Sequence, residues 1–190
     1  MSSIVGHAAA GVTAYLCSAR SNRRTRGSLL PFVVLAVCAD IDYLAVWLAG
    51  YDATPRFTHS FLFALSAAVL VHCILRRCTT LRLPVVWLMV ASASHPVLDL
   101  LVGAHPVPLL WPFGADVSIA VGVLPSAGTL KLGNYYLWRN LLIELGVLLP
   151  VFALCVAMSR RVAVAPLTAW AAGIAPFWAM FVVWSLSLTR

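Results

Sequence analysis

The lysines and arginines of this chain are confined to short stretches. Between them lie six apolar segments, at about 4–19, 28–50, 60–75, 83–103, 141–158 and 163–188. A helical span usually takes about 20 apolar residues, with about 17 near the lower limit. The expectation is an all-α fold: a polytopic membrane bundle of about six transmembrane helices, the first and third segments being the shortest for the task. Composition agrees, with 62% hydrophobic and 10% charged residues against about 25% charged in an ordinary soluble domain. The mean hydropathy is +0.95. A length of 190 residues fits one domain, 1–190, and no linker, low-complexity tract or repeat interrupts it.

The first charge, Arg20, follows the first apolar segment, whereas a signal peptide opens with a basic region. Segment one therefore reads as a retained helix. The five cysteines (17, 38, 73, 78 and 155) are scattered and show no paired metal-ligand spacing. The formal charge of +7 raises the question of nucleic acid, and its distribution answers it. Arg20, Arg23, Arg24 and Arg26 lie between segments one and two, Arg76, Arg77 and Arg82 between three and four, and Arg160 and Arg161 between five and six. If all six segments cross, these fall on one side, which the positive-inside bias assigns to the cytoplasm. The basicity is a topology signal, and no nucleic-acid partner is expected. Both termini and the loops 51–58 and 104–139 then face outward.

The acids number six: Asp40, Asp42, Asp52, Asp99, Asp116 and Glu144. Segment two runs outward, so Asp42 lies about 12 Å below its outer end at the helical rise. Segment four also runs outward, which puts Asp99 about 6 Å and His95 about 12 Å below Gly103. His7 lies near the outer end of segment one, His59 opens segment three, and Glu144 sits one turn into segment five. Ionisable groups from five segments thus converge on the outer half of the bilayer, although the topology was set from arginines alone. His95 and Asp99, four apart, share one helix face. Asp40 and Asp42, two apart, point to nearly opposite faces, so both serve one site only if the backbone is distorted there. Asp42 is weighted first.

Taken singly, these residues have structural explanations. "GHAAAG" (6–11) suits a small-residue packing face, Asp42 or Asp99 could pair with Arg56 in a buried ion pair, and His72 beside Arg76 lies away from the cluster. Taken together they differ. Ionisable groups within a bilayer are rare and functional by default, and several imidazoles and carboxylates at one depth form a metal-ligand set suited to zinc, less exclusively to manganese or iron.

In order along the chain, "GH" with Gly11 beyond it, "DID" (40–42), "RFTHS" (56–60), His95-x3-Asp99 and "PLLWPF" (108–113) resemble the YdjM-type, LexA-associated inner-membrane proteins classed as metal-dependent hydrolases. The resemblance runs from His7 to about Glu144. That family is in turn distantly similar to zinc-dependent phospholipase C and the single-strand-specific zinc nucleases. Their pattern is matched by His7, Asp42, His59, His95 and Asp99, and a further His by His105. Their final His-x3-Glu appears as Asn140-x3-Glu144. The chain departs from the family with Ala39 where Pro is usual, and "TPRFTHS" lacks an initial His and brings Arg56 one residue nearer. The absent His at 140 points to one or two ions rather than three.

The resemblance implies an inner-membrane hydrolase acting on a lipid or lipid-linked phosphoester, with a divalent metal (zinc first) held among His7, Asp40, Asp42, His59, His95, Asp99, Glu144 and His105. Asp42 and Asp99 would bridge or orient, and Arg56 would balance phosphoryl charge. The alternatives are a metal-ion or proton transporter or channel, and a non-catalytic membrane scaffold. A transport pathway needs polar residues reaching both sides, and the inner halves carry almost none beyond His72. An intramembrane metalloprotease would commonly show H-E-x-x-H, which is absent. In the loop, "VSIAVGV" (117–123) alternates enough to allow a strand.

Overall fold

The computed structural model describes residues 2–18, 29–42, 50, 56–126 and 133–188. The arginines of 19–28 and Asp52, used above for topology and charge, lie outside the described residues. The described chain is helical: α1 Ile4–Ser18, α2 Leu30–Val37, α3 Phe61–Cys78, α4 Val85–Val102, α5 Tyr135–Ser159 and α6 Val164–Leu186. Short 3-10 turns at Cys38–Asp40 and Phe57–His59 continue α2 and precede α3.

Local chemistry sets most of the boundaries. Pro31 stands in the first turn of α2, where its missing N–H costs nothing. Ser60 caps α3 by accepting from the Phe63 N–H at 3.1 Å. Asn134 caps α5 through the Tyr136 N–H at 3.0 Å. α4 stops at Gly103, whose φ of 65° is the left-handed conformation that favours glycine at a helix C-terminus.

α1 and α4 form the middle of the bundle: α1 packs on α2, α4 and α5, while α4 also packs on α2 and α3. α1 buries Gly6, His7, Ala10, Gly11, Ala14, Cys17 and Ser18, spaced so that they share one helical face. A Cβ at Gly11 would stand 2.7 Å from the Phe32 carbonyl oxygen and 3.0 Å from the Ala36 side chain, so glycine is what lets α1 and α2 approach. Two apolar clusters result. One gathers Ala14, Phe32, Leu35, Ala68 and Leu88; the other gathers Ala10, Leu98, Val102, Leu124 and Val147. α6 packs on α5 and leaves Phe177, Met180 and Val183 exposed, as expected of a surface whose solvent is lipid.

Among the described residues, four helices are long and apolar enough to cross a membrane, α3 to α6, while the helix at Ile4–Ser18 and the Leu30–Asp40 stretch are shorter. The third segment is thus longer than its hydropathy alone indicated, because its helix runs on to Cys78 through Arg76 and Arg77. The loop after α4 contains an isolated antiparallel bridge between Val107 and Val117, with N–H to O distances of 2.8 Å in both directions. Among the described residues no strand forms over 117–123.

Candidate metal centre

The site grows out of four segments. His7 projects from the buried face of α1. Asp40 and Asp42 follow α2 where it tightens into the 3-10 turn, His59 closes the turn before α3, and His95 and Asp99 lie one turn apart on α4. A regular α-helix would send Asp40 and Asp42 apart. The change of helical pitch after Val37 supplies the distortion needed for both to reach His59.

Asp99 is the hub. Its Oδ1 lies 3.5 Å from His7 Nε2, and its Oδ2 lies 3.4 Å from His95 Nε2 and 3.3 Å from His59 Nε2. Asp40 Oδ1 approaches His95 Nε2 at 3.6 Å and His59 Nε2 at 3.9 Å. The His7 and His95 rings stack with centroids 3.8 Å apart, and His59 meets His95 edge-on. All but Asp40 are buried, and Asp40 is nearly so.

These separations exceed hydrogen-bond lengths but match ligands around one cation. Zinc–nitrogen and zinc–oxygen bonds of about 2.0–2.2 Å at tetrahedral angles place donor atoms about 3.3–3.6 Å apart. In two overlapping groups, His7–His95–Asp99 and Asp40–His59–His95, the donor atoms all lie within 4.8 Å of one another. His7 Nε2, Asp40 Oδ1, His59 Nε2, His95 Nε2 and Asp99 Oδ2 are all buried without a hydrogen-bond partner. Such atoms are expensive to leave unpaired, and the donor set fits a divalent metal.

Hydrogen bonds behind the cluster turn these atoms inward. His95 Nδ1 lies 2.8 Å from the Ala36 carbonyl oxygen. A carbonyl only accepts, so Nδ1 carries the proton and the Nε2 lone pair faces the cluster. His59 Nδ1 faces Asp42 Oδ2 at 3.6 Å and the Thr58 hydroxyl at 3.1 Å, while Thr58 Oγ1 lies 3.3 Å from the same Asp42 oxygen. Asp42 therefore stands behind His59, with Arg56 Nε 4.0 Å away on its outer side. Asp40, ranked second from sequence, is the member of the pair that reaches the cluster.

Glu144 and His105 are placed elsewhere. Glu144 is buried on α5 but accepts the Ser2 hydroxyl and the Ser3 N–H (3.0 Å), and the Ser2 N–H donates to Asp99 Oδ1 at 2.9 Å. It fastens the N-terminal segment over Asp99 and joins neither ligand group. A Cβ at Gly6 would collide with its carboxylate. His105 is exposed beyond α4 and also joins neither group. Sequence reasoning missed Ser2, Ser3 and the Ala36 carbonyl. Adjacent serines ahead of "GH" were a usable signal of donors near His7, whereas a backbone carbonyl leaves none.

A family model described as YdjM inner membrane protein matches residues 1–166. The chain belongs to that family. The match takes in every segment that contributes to the cluster, from His7 to Asp99, together with Glu144. It also agrees with the four long apolar helices in marking an integral membrane protein. No curated protein and no solved structure matches the chain.

Proposed function

We propose that this chain is a membrane-embedded, metal-dependent hydrolase acting on a lipid or lipid-linked phosphoester. In this reading all six apolar segments cross the membrane, both termini lie outside, and the cluster occupies the outer half of the bilayer. One observation carries it: five buried imidazole and carboxylate atoms face one another without hydrogen-bond partners. Leaving a buried polar group unsatisfied costs about 1–3 kcal/mol, so gathering five in one place calls for a cation. His7, Asp40, His59, His95 and Asp99 would hold it, and imidazole with carboxylate favours zinc. His95, its Nδ1 committed to Ala36, offers one nitrogen to one ion. Asp99 presents one oxygen to His7 and the other to His59 and His95. When bound, a metal would supply Lewis-acid polarisation of a phosphoryl oxygen and a more acidic water.

The remaining roles fall to the chain itself. Arg56, its side chain 34% exposed beside Asp42, presents a guanidinium to the phosphoryl group, whose planar fork suits phosphate oxygens. Asp42 holds His59 in register, and the Ser2 N–H steadies Asp99. Burial of the cluster keeps bulk water from the reacting group and strengthens every charge interaction there. A position about one to two helical turns below the surface suits a headgroup whose tails remain in lipid.

The test is hydrolysis of a panel of phospholipids and isoprenoid phosphates by zinc-loaded, detergent-purified protein. Turnover of at least one phosphoester is expected, abolished in Asp99→Ala and lowered in Arg56→Lys with metal content and thermal stability kept. Metal-replete protein inert across the panel, with Arg56→Lys merely unstable, would contradict a catalytic role and leave Arg56 as half of a structural ion pair.

A further inference from the structure

A second polar site lies apart from the cluster. A cavity of about 440 Å³ opens among Gly103, His105, Ser126, Arg139, Asn140 and Leu188. It sits where α4 ends, α5 begins and the chain leaves α6. Gly103 is four residues beyond Asp99 on α4, so along that helix the cavity lies about 6 Å from the cluster, and Asn140 stands four residues before Glu144 on α5.

The cavity's chemistry is one-sided. Among the described residues, Arg139 and His105 line it and no carboxylate does. Among the described residues no acid lies within ion-pair distance of Arg139. The guanidinium is held rather than loose: Nε and Nη2 both donate to Asn140 Oδ1, at 3.1 and 3.0 Å. Asn140 in turn donates to the Ser126 carbonyl oxygen at 2.8 Å, and the Arg139 cation lies over the Tyr136 ring, 5.1 Å from its centroid. A half-buried arginine fixed by a neutral amide keeps its full charge and its Nη1 edge for a ligand. Around it Tyr135, Tyr136 and Trp138 are exposed, the residue types that collect at the level of lipid headgroups.

We propose that this cavity is a phosphate-binding site, with Arg139 as its charge and His105 at its rim, and that the phosphate it takes belongs to a lipid. The shared chemistry is a phosphate anion; the apolar helix faces and the aromatic residues beside the cavity favour a lipid source over free phosphate. The site needs none of the cluster's residues, so it stands whether or not the metal centre is catalytic.

The experiment is native mass spectrometry of the detergent-solubilised full chain titrated separately with short-chain phosphatidic acid, the matching diacylglycerol and inorganic phosphate. Phosphatidic acid should bind well ahead of diacylglycerol. Arg139→Gln should weaken it roughly tenfold, equivalent to about 1.4 kcal/mol. His105→Glu, at an exposed position, should also weaken it by setting like charge at the rim, and it decides the matter if Arg139→Gln fails to fold. Weak inorganic phosphate binding beside strong phosphatidic acid binding supports the lipid source. Equal binding of both, each lost in the variants, keeps the phosphate site and overturns the lipid source. Unchanged binding in folded variants, or equal affinity for diacylglycerol, overturns the proposal.

Discussion

His95 has the most fully specified environment in the site. Its Nδ1–H meets the Ala36 carbonyl, its Nε2 faces Asp40 and Asp99, and His7 stacks on its ring. His59 is oriented more loosely, by Asp42 and Thr58. Partners of this kind fix the tautomer and raise the basicity of a ligating imidazole. Asp42→Asn preserves shape but removes the charge and admits the opposite tautomer. It is expected to lower zinc affinity about 10–100-fold while the protein stays folded, measured by competition with a chelator. Affinity unchanged from wild type would return Asp42 to a purely structural pairing with Arg56. The i, i+4 relation of His95 and Asp99 was legible in the sequence because one helix face follows from periodicity alone. The ranking of Asp40 against Asp42 was not legible. It depends on where a helix changes pitch, and no residue type between Val37 and Ile41 announces that change.

At the scale of the element, the same small residues serve packing and site at once. Gly6 and Gly11 were read as a packing face; an added Cβ would meet the Glu144 carboxylate at Gly6 and the α2 backbone at Gly11, where glycine is required. That close approach brings His7 into the cluster, so the packing and functional readings of "GHAAAG" coexist. Helix positions followed from hydropathy to within a few residues for α1, α4 and α6. α5 begins earlier, at Tyr135, because Asn134 caps it and its first turns are polar and aromatic rather than aliphatic. Glu144 is the instructive case. That it is an acid set within an apolar helix was readable, but its use was not, because its partners Ser2 and Ser3 are distant in sequence and carry no charge.

At the scale of the molecule, orientation decides which leaflet the site addresses. With the native cysteines removed, Cys introduced at Thr80 should be shielded from an impermeant thiol reagent in intact cells, and Cys at Ser118 should be labelled. Both positions are exposed in the fold. The opposite pattern would move the site to the cytoplasmic leaflet without altering its chemistry. The cluster itself is a property of the whole bundle, since its ligands come from α1, both 3-10 turns and α4 and assemble only when these pack. Whether these atoms hold a metal is decided by elemental analysis of detergent-purified protein. Wild type should retain tightly bound zinc near stoichiometry, and His95→Ala and Asp99→Ala should fall well below it while remaining membrane-inserted. Wild-type protein free of tightly bound transition metal, and indistinguishable from both variants, would contradict the account.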